Sequence, residues 1–508
     1  MIVVEPPYLI RRAQDLHKKG LFDDAETMYR RLLAFQPAHA AAWHYLGIIY
    51  SQTSRGQSAL RFINRSIDLD RYGASYFLNR ALVYERNGVL GLARSDFKAA
   101  LRLNPSLKDA YLGLADLSRH AHEYLEASLL YSQAIAIMPS CAKTWMNLGA
   151  AHDSEKRFCT ALHCYRKASI ADPDWPDPEL NAALCNLVQG NFEIGWVQYE
   201  SRWRVKSLLE ASDMSKPIVS SRPSFKQGMS SGSVLLWAEQ GVGDEIMFGS
   251  LISDFSKLGN KLIVQCDKRL RNLFERSMPK IRFINRTTVV PETEYDYQLP
   301  LGSLPKLLRP TIDSFSNHRG TYLVADPKRV SVIKSCRSSE VLVRIGISWS
   351  SARGEARCIP LHDLLSSIFI PRAEFICLQY GEVEDHIERA ERITGIRVTQ
   401  SPNIDVTNDF EGLAALIESC DLVVTVGNAT AHLVGALGKS GVVLLPFHPG
   451  WRWLASGESS PWYPSLRLLR QTERADWIPV LKQLRILILT MIGSMYPTLG
   501  SPSKQNSV

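Results

Sequence analysis

The 508 residues include nine cysteines, yet no two of them are spaced C-x-x-C. They fall at positions 141, 159, 164, 185, 266, 336, 358, 377 and 420. Several sit inside apolar runs, as Cys266 does in Leu262-Ile-Val-Gln-Cys and Cys377 in Phe375-Ile-Cys-Leu. Such a scatter reads as small buried hydrophobes in a reducing compartment, and it offers neither a disulfide framework nor a zinc site. No run of 18 apolar residues occurs, and the longest greasy stretch, Ile486–Ile492, is less than half that, so no membrane span is expected. The opening Met1-Ile-Val-Val-Glu-Pro-Pro lacks the basic and apolar regions of a signal peptide, so the expected location is cytoplasmic. Charge of one sign is also scarce: 59 basic against 51 acidic residues leave a net +8. With no zinc finger, RNP-type aromatic motif or dense Lys/Arg block, that balance permits a phosphate-bearing ligand and gives no reason to expect nucleic acid. A 45% hydrophobic, 22% charged composition excludes a disordered or collagen-like chain. The length predicts about three or four domains.

What the first two hundred residues do have is a period of 34. Pro37, Pro105, Pro139 and Pro173 lie on one grid, with Arg71 in the missing place. Ala25, Ala59, Ala93, Ala127 and Ala161 form a second column. Tyr29, Ile63, Phe97, Tyr131 and Tyr165 form a third, and Trp43, Phe77, Tyr111 and Trp145 a fourth, with Leu180 one position late. The small column lets two helices approach, the large residues fill the space between neighbouring repeats, and proline ends the second helix. A unit of this kind cannot bury its apolar face alone, so units stack into a solenoid. The pattern resembles the tetratricopeptide repeat, clear in five copies over residues 6–173. A degenerate sixth copy, with Gly190, Phe192, Trp196 and Tyr199, extends the solenoid to 6–204. Asn79, Asn147 and Asn181 recur at one position of the first helices, interrupted by Tyr45 and Gly113. They read either as a ladder clamping the backbone of an extended peptide, as in the repeat part of O-GlcNAc transferases, or as a common repeat residue.

The period stops at a linker, 205–231, where Ser, Pro, Gly and Lys accumulate, which predicts an exposed connection. Short apolar runs then alternate with helical stretches, the grammar of parallel sheets with crossover helices. The predicted strands are Val234–Trp237, Lys261–Cys266, Ile281–Ile284 and Tyr297–Leu301 in a domain over 232–340. Val341–Trp349, Glu374–Leu378, Leu422–Val426, Val442–Leu445 and Leu466–Leu469 fall in a domain over 341–473. A terminal helix over 474–494, centred on Asp476–Ile492, and a polar tail over 495–508 complete the chain.

Three strand ends carry candidate chemistry. Trp237-Ala-Glu-Gln-Gly-Val-Gly-Asp244 turns sharply on its glycines, and its carboxylate lies where α/β folds bind ligands. Asp244 then either caps the next helix or takes a proton from a hydroxyl, with Glu239 as a competing base. Gly427-Asn-Ala-Thr-Ala-His432 runs from a strand into a helix whose free N–H groups and dipole suit a diphosphate. There Gly427, Asn428, Ala429 and Thr430 supply the turn, while His432 is either a ligand contact or a packed core histidine. Ser350, Arg353 and Arg357 follow a third strand and suit phosphate oxygens. Gln379, in Leu378-Gln-Tyr-Gly381, is placed to edge a base or ribose. Pro449-Gly-Trp-Arg452-Trp and Ser460-Pro-Trp462-Tyr-Pro either wall the cleft or pack a long loop. Asp68-Leu-Asp70 and Asp172-Pro-Asp174 match a metal-holding pattern but lie in repeat-ending turns, so no metal is expected.

Taken with Gly302-Ser-Leu-Pro, Gly346-Ile-Ser-Trp and Ala431-His-Leu-Val-Gly-Ala-Leu-Gly, these segments resemble the bacterial tetratricopeptide-repeat proteins with a C-terminal glycosyltransferase-like region. That group is similar, more distantly, to heptosyltransferases and O-GlcNAc transferases. The resemblance implies an α-solenoid followed by an α/β GT-B fold of two Rossmann-like domains, the acceptor facing the first and the nucleotide-sugar on the second. It further implies inverting transfer without metal or bound cofactor, Asp244 as base, and Gly427 to His432 holding the donor diphosphate. The implied partners are a nucleotide-sugar and a protein or peptide in the solenoid groove. The rival expectation is a repeat scaffold whose transferase-like half is inactive or nucleotide-sensing. Heptosyltransferases usually carry Asp-Thr where this chain has Gly427-Asn428, so the role of that carboxylate is lost.

Overall fold

The computed structural model describes residues 6–53, 55–210, 220–226, 228–229, 231–316, 320–352 and 354–496. It divides into two compact units, Met1–Pro178 and Glu179–Val508.

The first unit is a run of helix pairs: Pro6–Lys18 with Phe22–Phe35, Ala40–Gln52 with Gly56–Leu69, Ala74–Arg86 with Leu90–Leu103, Lys108–His120 with Tyr124–Ile137, and Ala142–Ser154 with Phe158–Ala171. The first helix of each pair has 13 residues and the second 14. Every member of the alanine column is 0% exposed, and no member of the Tyr29-to-Tyr165 column exceeds 1%. The large residues pack both inside their own repeat and against the next one, where Tyr29 stacks 5.4 Å from Tyr45 and a Cβ on Gly113 would stand 2.2 Å from Phe97. A Cβ on Gly47 would stand 2.4 Å from Ile63, and one on Gly149 would stand 2.6 Å from Tyr165. Ala81 and Ala115, both fully buried, keep the same register. The fourth column is tied to the grid prolines: the indoles of Trp43 and Trp145 donate to the carbonyls of Pro37 and Pro139 at 2.8 and 2.7 Å.

The second unit begins inside what the sequence assigns to a sixth repeat. The helix Phe192–Tyr199 packs into the α/β region: Trp196 donates to the Arg309 carbonyl at 3.0 Å, and Phe192 lies 5.2 Å from the Phe315 ring. The division between the compact units lies at 178/179, so the last helix pair of the expected 6–204 solenoid belongs to the second unit, where its aromatic side chains are buried. The expected exposed linker is corrected in part. Lys206–Glu210 is helical, and Ser224 bridges to Gln298 while Phe225 is buried against Phe255 and Tyr297.

Two parallel sheets follow. The first lobe holds β1 (Ser233–Trp237), β2 (Lys261–Cys266), β3 (Arg282–Asn285) and β4 (Tyr297–Pro300), in the order β3-β2-β1-β4. The second lobe holds β5 (Val343–Ser348), β6 (Ala373–Cys377), β7 (Val398–Thr399), β8 (Leu422–Val426), β9 (Gly441–Leu445) and β10 (Leu466–Arg470), in the order β10-β9-β8-β5-β6-β7. β5, β8 and β9 are buried along their whole length, which is why they read as largely apolar runs, broken in β5 by Arg344 and Ser348 and in β8 by Thr425. Burial pushes the thiols of Cys266 and Cys420 up to about 12, so these residues are inert packing.

The terminal helix, Ile478–Met495, is long and apolar enough to cross a membrane by length and composition, with a mean hydropathy of 1.4. In this fold one of its faces, with Val480, Leu481, Leu484, Ile488 and Ile492, joins the core of the second lobe.

Candidate functional site

β1 ends at Trp237, and the chain turns through Gly241 into the helix Val242–Ser256. Gly241 is the residue before the first helical turn, and Asp244 lies within that turn, so Asp244 is not the cap. β8 ends at Val426, and Asn428 caps the helix Ala429–Ala436 by accepting from Ala431 N at 3.2 Å. The same amide donates to Ser348 Oγ at 2.8 Å and to the Ser350 carbonyl at 3.0 Å, which ties the ends of β8 and β5 together.

These two helix starts face each other. A Cβ on Gly243 would stand 3.1 Å from the His432 ring and 3.6 Å from Ala429 Cα, so the approach depends on glycine. Between them lies a cavity of about 180 Å³ lined by Gly241–Asp244, Ser351, Ala352, Arg357, Tyr380, Gly427–Ala429, His432, Gly450, Arg452 and Trp453. The cleft thus gathers two positive helix ends, two guanidinium groups and one carboxylate, an arrangement suited to an anion carrying more than one charge.

Asp244 is 4% exposed and accepts from Arg452 Nε, a pairing of residues 208 apart in sequence. His432 is stacked 5.0 Å from Trp453, and its Nδ1 lies 2.9 Å from the Tyr463 hydroxyl. Burial, together with the neighbouring Tyr322, holds that hydroxyl well above its ordinary range, so it stays protonated and orients the imidazole. At Gly427 a Cβ would stand 2.9 Å from Trp453 Nε1 and 3.2 Å from Leu445. The indole fills the space that an aspartate side chain needs.

Other expected residues take different places. Glu239 is 1% exposed and paired with the equally buried Arg202 at 3.0 Å, and it also accepts from Gly302 N at 3.3 Å. That carboxylate locks the loop after β1 and does not line the cleft. Gln379 accepts from Ser348 Oγ, Trp349 N and Ser350 N at 2.8–2.9 Å, so its side chain braces the end of β5 while Tyr380 faces the cavity. Ser350 contributes its backbone to the same brace. Thr430 is buried, with its hydroxyl 3.4 Å from the Leu378 carbonyl. Arg353 lies outside the described residues. Trp462 is 1% exposed and packs on Phe315 at 4.8 Å, which makes it core and not cleft wall. Arg452, which the sequence places only in an aromatic loop, is the contact it missed.

Of the expected peptide ladder, Asn79 lies 2.9 Å from His44 Nε2 and donates to the Ser75 carbonyl, and Asn147 donates to Asp116 at 3.4 Å. Asn181 is partly buried in the second unit. A second cavity, about 550 Å³, lies beside β4 among Trp203, Phe225, Trp237, Pro300 and Leu307. It is larger than the cleft, but none of the expected site residues lines it. Among the described residues no group of three or more His, Cys, Asp or Glu is arranged to hold a metal ion.

A tetratricopeptide-repeat family model matches residues 10–74 and 78–142. Protein FlbA of Caulobacter vibrioides is 26% identical over 462 residues, covering 83% of this chain and 74% of its own, so the alignment runs far into the second unit. A Hordeum vulgare protein, the probable UDP-N-acetylglucosamine–peptide N-acetylglucosaminyltransferase SPINDLY, is 26% identical over 171 residues. That match takes in 32% of this chain and only 18% of the barley protein. Among solved structures, YrrB, described as a repeat protein with an unusual peptide-binding site, aligns at 17% identity and a TM-score of 0.33 over 35% of this chain and 92% of its own. The N-terminal part of the chain is a tetratricopeptide-repeat solenoid, and the C-terminal part is an α/β region with two parallel sheets.

Proposed function

We propose that the second unit is a GT-B-type glycosyltransferase that moves a sugar, without a metal, from a nucleotide-sugar to an acceptor hydroxyl, and that the repeats present a protein acceptor. The observation that carries this reading is the cleft in which the Gly241–Asp244 turn and the Gly427–Ala429 turn meet, flanked by Arg357 and Arg452. The acceptor oxygen attacks the anomeric carbon, the bond to the diphosphate breaks, and the hydroxyl proton passes to Asp244. Charge growing on the departing diphosphate meets the two helix starts and the guanidinium groups. Preorganised donors of this kind are worth roughly 3–4 kcal/mol each in the barrier. The barley relative bears the name of a transferase of this chemistry, and solenoids of stacked repeats offer extended binding surfaces, which supports a protein acceptor.

The cavity of about 180 Å³ is smaller than the ~300–1,000 Å³ of ordinary ligand pockets, so a whole nucleotide-sugar requires the lobes to part. The same observation, with Gly427 in place of aspartate, favours the second reading, a repeat scaffold whose α/β half only senses a nucleotide.

The test takes the full chain. UDP, GDP, CMP and ADP are screened for a raised melting temperature, and the stabilising nucleotide's sugar conjugate is then assayed with candidate acceptor proteins. Asp244→Asn is expected to lower turnover by at least ~10²-fold while the fold is retained. Stabilisation without any turnover would move the assignment to the nucleotide-sensing scaffold.

A further inference from the structure

The first sheet has a second place where ligands collect. Its strand order, β3-β2-β1-β4, reverses between β1 and β4, which are neighbours in the sheet but not in the chain. In α/β folds such a reversal opens a crevice for ligands outside the carboxyl ends of the strands. The cavity of about 550 Å³ lies there: Trp237 and Pro300, the last residues of β1 and β4, both line it. Its size falls within the ~300–1,000 Å³ of ordinary ligand pockets, and it shares no described lining residue with the cleft. The rings of Trp203 and Trp237 stand 5.2 Å apart at 48°, which sets two indoles at an angle on one side of the space. The Trp237 N–H donates to Gln298 Oε1 at 2.9 Å. An indole can only donate, so the amide gives it the oxygen and keeps its NH₂ group as a donor. Lys226 and Lys306, both exposed, also line the cavity, and neither is ion-paired among the described residues. Glu200, the one carboxylate among the described lining residues, accepts from Arg202 at 2.7 Å and from Ser303 at 2.8 Å. Arg202 is shared with Glu239 at 3.0 Å. With both carboxylates ionised, three cations stand against two anions, and one positive charge is left over.

We propose that this cavity is a binding site for a small molecule, a flat apolar ring that carries one carboxylate. The ring packs against the indoles, and Phe225, Leu299 and Leu307 close water out around it. Aromatic rings favour offset or edge-on neighbours at centroid distances of ~4.5–7 Å, a spacing that the indole corner offers to a third ring. The carboxylate is met by Lys226, Lys306 and the Gln298 NH₂ group. A phosphate monoester brings about −1.5 to −2 charges, more than the surplus here, so the carboxylate is the better match. A flexible chain is the poorer occupant, because its rotatable bonds must be ordered on binding. The proposal depends neither on the cleft nor on sugar transfer.

The test is calorimetric titration of the full chain with four probes at fixed ionic strength: naphthoate, naphthalenemethanol, naphthyl phosphate and octanoate. Melting curves confirm that each variant is folded. Naphthoate is expected to bind about tenfold more tightly than the alcohol, which lacks the charge-assisted contacts, and more tightly than the other two probes. Combining Lys226→Gln with Lys306→Gln removes that preference and leaves the alcohol's affinity unchanged. Trp203→Leu weakens naphthoate binding by about tenfold through the lost ring contact. Leu307→Trp fills the cavity and abolishes binding of every probe; should it not fold, Trp203→Leu carries the test of location. Saturating inorganic pyrophosphate leaves naphthoate binding unaltered, because the cleft is a separate site. The proposal is overturned if no probe binds, or if binding survives Leu307→Trp or is displaced by pyrophosphate, which places it elsewhere. An alcohol that binds as well as naphthoate, or a preference that persists without the two lysines, removes the carboxylate from the assignment. Tighter binding of naphthyl phosphate refutes the single charge, and tighter binding of octanoate refutes the flat ring.

Discussion

His44, in the helix Ala40–Gln52, is 5% exposed and packed between the rings of Tyr45 and Tyr76. Burial lowers its pKa to about 4 from the usual 6.5, opposed only in part by a hydrogen bond to the Ser75 backbone. The unfolded chain therefore binds a proton between pH 6.5 and 4 that the folded chain refuses. Stability is fully present above the unfolded value and is lost as pH falls through that window, by up to about 3 kcal/mol. Comparing wild type with His44→Gln in denaturant melts from pH 7 to pH 4 isolates this contribution from that of other groups. The variant should show the shallower pH dependence, and parallel curves would mean that His44 takes up its proton in the folded state. Residues of the second unit differ in how far the sequence revealed them. Asp244, Asn428 and His432 were legible because each follows a strand and a glycine turn, where ligands of α/β folds collect. The Asp244–Arg452 pair was not, since nothing local links residues 208 apart. Nor was the inward turn of Gln379, whose amide oxygen accepts three hydrogen bonds from the end of β5.

At the scale of the element, the helix pairs share a device that the proline and alanine columns do not reveal. Gly20, Gly88, His122, Lys156 and Gly190 all have φ between +56° and +81°, and they are spaced by multiples of the same 34-residue period. The remaining member, Ser54, lies outside the described residues. Each reverses the chain after the first helix of a pair, in the left-handed region that glycine enters without steric cost. Glycine alone would have made the column visible, but three of its six members, Ser54, His122 and Lys156, carry side chains, which hid it from a pattern search. The energetic consequence is testable. Gly88→Ala should destabilise the protein by about 1 kcal/mol, and Lys156→Gly should stabilise it by about 0.5–1 kcal/mol, because the strain removed outweighs the added freedom of the unfolded chain. Denaturant melts that move both variants in the same direction would refute a common turn geometry. The strands were easier to read. Parallel strands covered on both faces need continuous apolar sequence, and eight of the nine expected runs match β-strands to within one residue at each end; the exception, Val341–Trp349, loses two residues at its start. β7, two residues long at the sheet edge, leaves too little pattern to find.

At the scale of the whole molecule, the repeat grammar and the structural unit part company. The sequence continues its period through Gly190 and Trp196, yet the helix Phe192–Tyr199 and the turn after it serve the α/β region. Trp196 meets Trp451 at 5.3 Å and Trp462 at 6.5 Å, directly beneath the loop that carries Arg452. Tyr199 accepts from Gln240, and Arg202 holds Glu239, so this segment also supports the loop that carries Asp244. Both sides of the cleft therefore depend on residues that the sequence assigns to the solenoid. A chain spanning 174–508 keeps these supports, whereas one spanning 205–508 removes them. In the shorter chain Glu239 is left buried without its cation, at a cost of about 3–5 kcal/mol, and the loss of Trp196 opens a void worth about as much again. Together these approach the ~5–15 kcal/mol that separates a folded domain from its unfolded chain. The fragment 174–508 is accordingly expected to melt cooperatively and to bind pyrophosphate as the full chain does, while 205–508 aggregates or melts without a transition. A soluble, cooperatively folded 205–508 that still binds pyrophosphate would show that the cleft stands without the last helix pair.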